Sequence, residues 1–202
     1  MRINFFIFLF LMSFSVLAIE EPEFTSIEKK GTFEIREYQP KLIAQVLVTG
    51  TFDTASNKGF HLLADFIFGN NKTNEGSKKI EMTAPVITHD GSEKIEMTAP
   101  VISEETERGW YISFNIPKQY SRETLPAPNN LEVKIIDVPT EKFAVISFSG
   151  LVREKKYTEM LNLLNEEMKK RNLDPKGSVI LARYNPPWTL PFLRRNELML
   201  RF

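Results

Sequence analysis

The chain contains no cysteine and only two histidines, His61 and His89, among its 202 residues. The absence of cysteine excludes disulfides, thiol catalysis, cysteine-ligated zinc and covalent haem attachment through Cys-x-x-Cys-His. Two histidines leave almost no material for a Ser-His-Asp triad or for a zinc site built from several histidines. No nucleophile-elbow, phosphate-loop or dinucleotide-binding motif is present either. The composition therefore predicts a protein without catalytic residues.

The chain also has no excess of either charge, because 26 basic side chains balance 26 acidic ones. A nucleic-acid partner would require a basic excess to meet its phosphates, so this class of partner is excluded. A protein-interaction role stays open, although the sequence singles out no protein-binding patch.

A long hydrophobic segment is missing as well. The longest apolar run, residues 5–17, follows Arg2, includes two serines and ends in Val16-Leu17-Ala18. It is shorter than the roughly 20 residues that span a bilayer, and its flanks are typical of a secretory signal peptide. We expect residues 1–18 to be cleaved, leaving residues 19–202 as one exported, periplasmic or extracellular domain without a stable membrane anchor. We expect this domain to be a monomer.

Alternating apolar and polar residues predict strands over 32–38 and 42–49. A helix follows over 53–68, with Asp53 as its N-cap and Gly69 as its stop. Gly59 lies inside this helix, where glycine costs about 1 kcal/mol relative to alanine. Its presence predicts that a strand or a ligand approaches the helix closely at this point.

Residues 80–86 and 95–101 are the same heptapeptide, Ile-Glu-Met-Thr-Ala-Pro-Val, 15 positions apart. Each copy alternates like a strand, and Asp90-Gly91 between them favours a two-residue hairpin turn. In this register Ile80 lies opposite Val101. Met82 and Met97 fall on the inner face, where core packing is the expected role.

The second half of the chain repeats the pattern of the first. Strands are predicted over 110–116, 131–138 and 143–148, a helix over 153–171, and strands over 179–184 and 197–202. Five apolar positions form the buried stripe of this second helix: Tyr157, Met160, Leu161, Leu164 and Met168. Two strand-strand-helix-strand-strand halves predict an antiparallel α+β domain with pseudo-twofold symmetry, and the groove between helix and sheet is its natural pocket.

The segment 181–197 combines three aromatic residues, three prolines, three arginines and one glutamate. Together with Gly59-Phe60, Phe68-Gly69 and the doubled heptapeptide, this segment resembles the SOUL haem-binding protein family. The resemblance runs from about residue 24 to the C-terminus.

The resemblance implies a twisted, barrel-like antiparallel sheet with two helices, related to gyrase-inhibitor-like effector-binding domains. It also implies non-covalent, non-catalytic binding of haem or a porphyrin in an apolar groove beside the first helix. The residues that would serve this site are groove-lining Phe60, Leu63, Ala64 and Ile67, stacking Tyr184 and Trp188, and Arg183, Arg194 or Arg195 at the propionates. His61 is a candidate iron ligand, and its alternative role is that of an ordinary half-buried helical histidine.

Three alternatives stay open at this stage. Asn57 and Asp65 stand where better-studied members of the family carry basic residues, so the propionate contacts are not assured. An effector-type pocket for amphipathic or cationic molecules would use Glu197 as counter-charge, and a small-molecule hydrolase would need a groove carboxyl of raised pKa. Glu197 alternatively pairs with Arg194 or Arg195 and only fixes a loop.

Overall fold

A computed structural model describes residues 20–73, 98–186 and 188–202. The predicted signal peptide and all of the predicted hairpin before residue 98, including its turn and both methionines, lie outside these residues. The described part contains two α-helices, α1 (Phe52–Ile67) and α2 (Glu154–Lys170), and one 3₁₀ helix, Pro191–Leu193. Its strands are β1 (Phe24–Lys30), β2 (Phe33–Tyr38), β3 (Lys41–Val48), β4 (Asn71–Lys72), β5 (Val101–Thr106), β6 (Gly109–Asn115), β7 (Ala127–Pro128), β8 (Lys134–Val138), β9 (Glu141–Phe148), β10 (Lys176–Arg183) and β11 (Asn196–Arg201).

Nine strands form one strongly curled antiparallel sheet in the order β1-β2-β9-β11-β10-β5-β6-β3-β8. The corresponding strands of the two halves are β2 and β8, β3 and β9, β5 and β10, and β6 and β11. When β1 is left out and each strand is replaced by its counterpart, the strand order is simply reversed, as a twofold axis requires. The predicted α+β class and its pseudo-twofold repeat are therefore confirmed. The first strand of each half pairs with the second strand of the other half, β2 with β9 and β8 with β3, so the halves are interlocked.

Helix α1 covers the β3–β6 part of the sheet because its apolar residues recur at helical spacing. Thr51, not Asp53, is the N-cap, and its hydroxyl accepts a hydrogen bond from the Thr54 amide. The helix ends at Ile67, and Gly69 follows in a left-handed conformation with φ 116°. A Cβ on Gly59 would lie 2.6 Å from the Ile112 Cβ, so the predicted close approach is made by strand β6.

Helix α2 covers the other half of the sheet. Met160, Leu164 and Met168 are buried, and Tyr157 and Leu161 are partly buried against the same cluster, as the predicted stripe requires. The described residues contain no helix long and apolar enough to cross a membrane.

The predicted hairpin pairing is wrong at the end that the structure describes. Residues 98–100 precede the strand, and β5 begins at Val101 and continues to Thr106. Val101 pairs with Phe114 on one side and with Arg183 on the other, so both of its strand neighbours are taken. The repeat indicates internal similarity of sequence, but it does not encode which distant strands lie beside each copy.

The face of the sheet opposite the helices is also closed. Curvature brings β1, β2, β9, β10 and β11 around a third cluster that includes Tyr38, Phe143, Val145 and Met199. Glu34, Arg36 and Glu197, which alternate with core residues along their strands, are consequently buried. An open antiparallel sheet would leave such residues in water.

Candidate functional site

The predicted lining of the first helix lies inside the core rather than in an open groove. Leu63, Ala64 and Ile67 are no more than 7% exposed, and two of them belong to the cluster between α1 and the sheet. The close contact of Gly59 with Ile112 leaves no separation between helix and sheet at the centre of α1. A ligand at this helix must therefore lie at an end or an edge of it.

Phe60 and His61 lie at the edge and on the outer side of α1. The Phe60 ring is half-buried and meets the Phe114 ring edge-on at 5.5 Å between centroids. His61 is exposed, and its ring lies 6.1 Å from that of Phe60. In the described residues, no group of three or more His, Cys, Asp or Glu side chains could hold a metal ion.

Arg183 lies at the end of β10 on the helix side of the sheet, where α1 begins. Its guanidinium carbon is 5.2 Å from the centre of the Phe52 ring, which in turn packs edge-on against Trp110 at 5.1 Å. No carboxylate in the described part of the chain lies within ion-pair distance of Arg183. Burial lowers the pKa of Arg183, Asp53 offsets part of this effect, and Arg194 adds to it by like-charge repulsion.

The loop after β10 brings further predicted residues to the same end of the molecule. Trp188 is 82% exposed. The Arg194 Nε donates to the Thr189 carbonyl at 2.8 Å, which ties the second arginine to this loop. The structure therefore brings Arg183 and Arg194 near each other at the loop end of the sheet, and Trp188 is exposed in the same loop.

Tyr184 and Arg195 lie on the opposite face, because consecutive strand residues point to opposite sides of a sheet. The Tyr184 hydroxyl donates to Glu197 Oε2 at 2.6 Å, and Arg195 donates to Glu197 Oε1 from Nε and Nη2. The Arg195 guanidinium also stacks over the Tyr184 ring at 3.7 Å. Both side chains are committed to Glu197 rather than to the surface that holds Arg183.

Glu197 is completely buried and fully occupied by protein donors. Besides Tyr184 and Arg195, it accepts hydrogen bonds from Ser147 at 3.1 Å and from Arg36 at 2.8 and 3.1 Å. Burial alone would raise the pKa of Glu197, but the Arg36 and Tyr184 hydrogen bonds outweigh it and the pKa is lowered. Because Arg36 and Arg195 already neutralise the Glu197 carboxylate, Glu197 cannot serve as the counter-charge of a cationic ligand.

Sequence reasoning did not identify Arg36, the principal partner of Glu197. Arg36 also donates to Glu34 and Tyr38, and its guanidinium lies over the Phe24 ring at 4.4 Å. The alternation of β2 is typical of a strand with one wet face, so the local sequence carried no signal for this buried network. Of the two partners proposed for Glu197, Arg195 is the one that pairs with it.

A cavity of about 420 Å³ lies away from α1, among the N-terminal segment, the β2–β3 turn and the ends of β6 and β8. Five carboxylates and three basic side chains line it. Asn115, which is 6% exposed, lines this cavity, and neither its side-chain nitrogen nor its side-chain oxygen has a hydrogen-bond partner among the described residues. Because carboxylates outnumber basic side chains in its lining, this cavity disfavours a ligand that itself carries carboxylates.

Comparisons with known structures show the fold. The crystal structure of the EcmrR C-terminal domain matches with a TM-score of 0.55 at 8% identity, covering 84% of this chain and 95% of that one. A hydrolase from Listeria innocua matches with a TM-score of 0.54 at 12% identity, covering 86% and 93%. These identities are too low to indicate a shared activity.

Among curated proteins, no sequence matches this chain. The sequence profile described as "SOUL heme-binding protein" matches residues 19–92 and 88–201, which together span nearly the whole chain. The chain belongs to the SOUL haem-binding protein family.

Proposed function

We propose that this protein binds haem or a related tetrapyrrole non-covalently, without catalysing a reaction, at the start of α1. The observation that carries the proposal is Arg183. This guanidinium is half-buried, lies against an aromatic ring and has no carboxylate partner in the described residues. A partly buried cation without a counter-ion is costly, and an anionic ligand removes that cost.

The residues around Arg183 fit the chemistry of a tetrapyrrole. A propionate offers a carboxylate to a guanidinium, and the fork of N–H donors suits a two-point contact. Arg194 lies near enough to affect the pKa of Arg183 and supplies a second cation for the second propionate. Phe52, Trp110 and exposed Trp188 supply aromatic surface for a flat, apolar ring.

We call Arg183 and Arg194 together the anchor. His61 lies apart from it. It follows Phe52 by nine residues, which is about two and a half turns and about 13 Å along the helix, on the opposite side. The sequence-based expectation that His61 ligates the iron is untested, and the site proposed at Arg183 does not include His61. The anchor recognises the propionates and the macrocycle, and this recognition does not require the metal.

The proposal is tested by titrating the protein with ferric haem and following the Soret band. Arg183→Gln is expected to weaken binding by about tenfold or more, because a charge-assisted contact is lost. Lys134→Gln is the control, since Lys134 is exposed on β8, an edge strand that lies four strands away from the β10 strand of Arg183. Saturable binding that both variants retain equally would overturn the anchor, and the absence of saturable binding by the unchanged chain would overturn the function.

The wider role that we propose is transport, buffering or scavenging of the tetrapyrrole by a monomeric protein outside the cytoplasm. The location outside the cytoplasm rests on the signal-like residues 1–18. Mass spectrometry of the protein produced in an exporting host tests whether this segment is cleaved. The expected product begins at Ile19. A product that retains Met1 or Arg2 would contradict export by cleavage.

A second candidate function is binding of a small cation in the cavity of about 420 Å³. Unbonded Asn115 and the acidic lining favour it. A primary alkylammonium ion should then raise the melting temperature, and Asn115→Ala should reduce this increase, because the side-chain oxygen of Asn115 can accept a hydrogen bond from the ammonium group. A rise produced by porphyrin and not by the cation would favour the first function.

Hydrolysis finds little support in the buried network. Hydrolysis needs a groove carboxyl of raised pKa, and the buried carboxyl Glu197 does not supply it, because it is sealed from solvent and its pKa is lowered. A general base must reach a water molecule, and both oxygens of Glu197 already accept hydrogen bonds from protein groups.

A further inference from the structure

Four exposed apolar side chains lie together beside the β10–β11 loop. Leu190, Phe192 and Leu193 belong to one turn and are 55, 70 and 61% exposed, and Leu151 is 40% exposed in the neighbouring β9–α2 loop. We call Leu151, Leu190, Phe192 and Leu193 the apolar tip. Single exposed apolar residues are ordinary, but several on adjacent loops mark a contact surface.

The backbone holds the apolar tip in place. The Leu193 and Arg194 amides donate to the Leu190 and Pro191 carbonyls, which closes the 3₁₀ turn. The Gly150 amide donates to the Pro191 carbonyl at 2.9 Å and joins the two loops. The Asn196 side chain donates to the Gly150 carbonyl at 3.0 Å. These hydrogen bonds fix the backbone of both loops, so the four apolar side chains stay exposed instead of folding against their own loops.

The residues next to the tip are mostly basic. Segments 149–156 and 188–195 contain five basic residues and one acidic residue, Glu154. Arg195 is paired with Glu21 and Glu197, and Lys156 with Glu159. Arg153 and Lys155 are exposed and have no ion pair in the described part of the chain. Their charge suits an anionic surface.

The geometry points to the headgroup region of an anionic lipid membrane as the occupant of the apolar tip. Leucine and phenylalanine enter the boundary of the acyl chains, and the flanking cations remain at the phosphates. Trp188, next to the tip, has the amphipathic ring that is enriched at this depth. The contact is reversible and peripheral, because four side chains bury far less apolar surface than a spanning helix.

This inference goes beyond the proposed function, since it needs no tetrapyrrole and uses tip residues outside the anchor. Its test uses the chain from Ile19, which lacks the apolar run at 5–17 that would itself bind lipid. Every described strand and helix lies after that position. Co-sedimentation is measured, without haem, with vesicles of phosphatidylcholine that contain about 30% phosphatidylglycerol.

We expect the chain to sediment with these vesicles at low salt, and Trp188 emission to shift to shorter wavelength. Phe192→Ser with Leu193→Ser should reduce the bound fraction about tenfold. Arg153→Gln with Lys155→Gln should reduce it several-fold, as should salt raised to about 0.5 M, because screening weakens attraction to the phosphates. Leu131→Ser is the matched control, since Leu131 is 83% exposed in the loop before β8.

No vesicle binding by the unchanged chain would overturn the inference. Equal binding by the tip variant and the Leu131 variant would overturn it as well, because the contact would then lie elsewhere. A haem titration of the tip variant, without vesicles, separates the two proposals. We expect unchanged haem affinity there, so that failure of one proposal leaves the other standing.

Discussion

Glu197 and Arg36 form a two-point ion pair across 161 positions of sequence, with Arg36 Nη1 donating to Oε2 at 2.8 Å and Nη2 donating to Oε1 at 3.1 Å. They lie on β11 and β2, on either side of β9, so the pair fastens strands from both ends of the chain. Each of the two side chains is nearly or completely buried. The Arg36–Glu197 pair connects the other members of the buried polar network on the sheet face opposite the helices.

Glu197→Gln should destabilise the protein strongly. The change leaves Arg36 and Arg195 buried or partly buried beside a neutral amide, and breaking one side of a buried pair costs about 3–5 kcal/mol. The free energy of unfolding in urea measures the loss. Glu37→Gln, whose ion pair with Lys142 is much more exposed, should cost less than about 1 kcal/mol. Similar losses in the two variants would show that the network does not stabilise the fold.

Gly59→Ala should be destabilising although alanine is the better helix former. The new Cβ would lie within 2.6 Å of Ile112, a separation that forces helix and strand apart. We expect a loss of about 1–3 kcal/mol in the free energy of unfolding, typical of overpacking. Asn57→Ala, at an exposed position of the same helix, should be neutral or slightly stabilising. Relief of the Gly59→Ala loss by a second change, Ile112→Ala, would confirm the contact, and a stable single variant would contradict it.

The burial of Lys41 predicts that the free energy of unfolding rises with pH in the alkaline range. Burial lowers its pKa to about 8, with Glu141 offsetting part of the effect and Arg201 adding to it, and its amine lies over the Tyr38 ring. Between about 8 and the ordinary value of 10.5 the unfolded chain binds more protons than the folded one, so stability should rise with pH in this window.

Lys41→Met should therefore raise the free energy of unfolding at pH 7 by about 1–2 kcal/mol, after allowance for partial exposure, and should flatten the alkaline rise. Urea unfolding at pH values of about 7 and about 10.5 measures both effects. Lys142→Met is the control, because Lys142 is half-exposed and paired with Glu37. A Lys41 variant with the same pH profile as the unchanged protein would refute the lowered pKa.

Ferric haem and metal-free protoporphyrin should bind with similar affinity, because in the proposed complex Arg183 contacts the propionates rather than the iron. His61→Ala should leave the Soret maximum of the haem complex in place, since His61 lies on the far side of α1 from Phe52. The measurement is a pair of absorbance titrations with the unchanged chain and the variant. A Soret maximum that moves with His61→Ala would establish His61 as the iron ligand and relocate the site.

Local spacing in the sequence was enough to determine both helices and the strands of the second half. The stripes of α1 and α2 and the stop at Gly69 act over a few residues, so they can be interpreted without knowing the neighbours. The pseudo-twofold repeat was readable for the same reason. Each half repeats the same order of short-range patterns.

Tertiary structure alone decided which strands became neighbours and which polar residues became buried. The exchange of β2 and β8 between the halves, the partners of Val101 and the burial of Arg36 all depend on contacts between distant segments, which local periodicity does not encode. The same contacts placed α1 beside Arg183 and the buried Glu197 beside Tyr184, and they closed the groove expected along α1. Side-chain spacing specifies a face of an element, and only the packing of the whole sheet determines what that face meets.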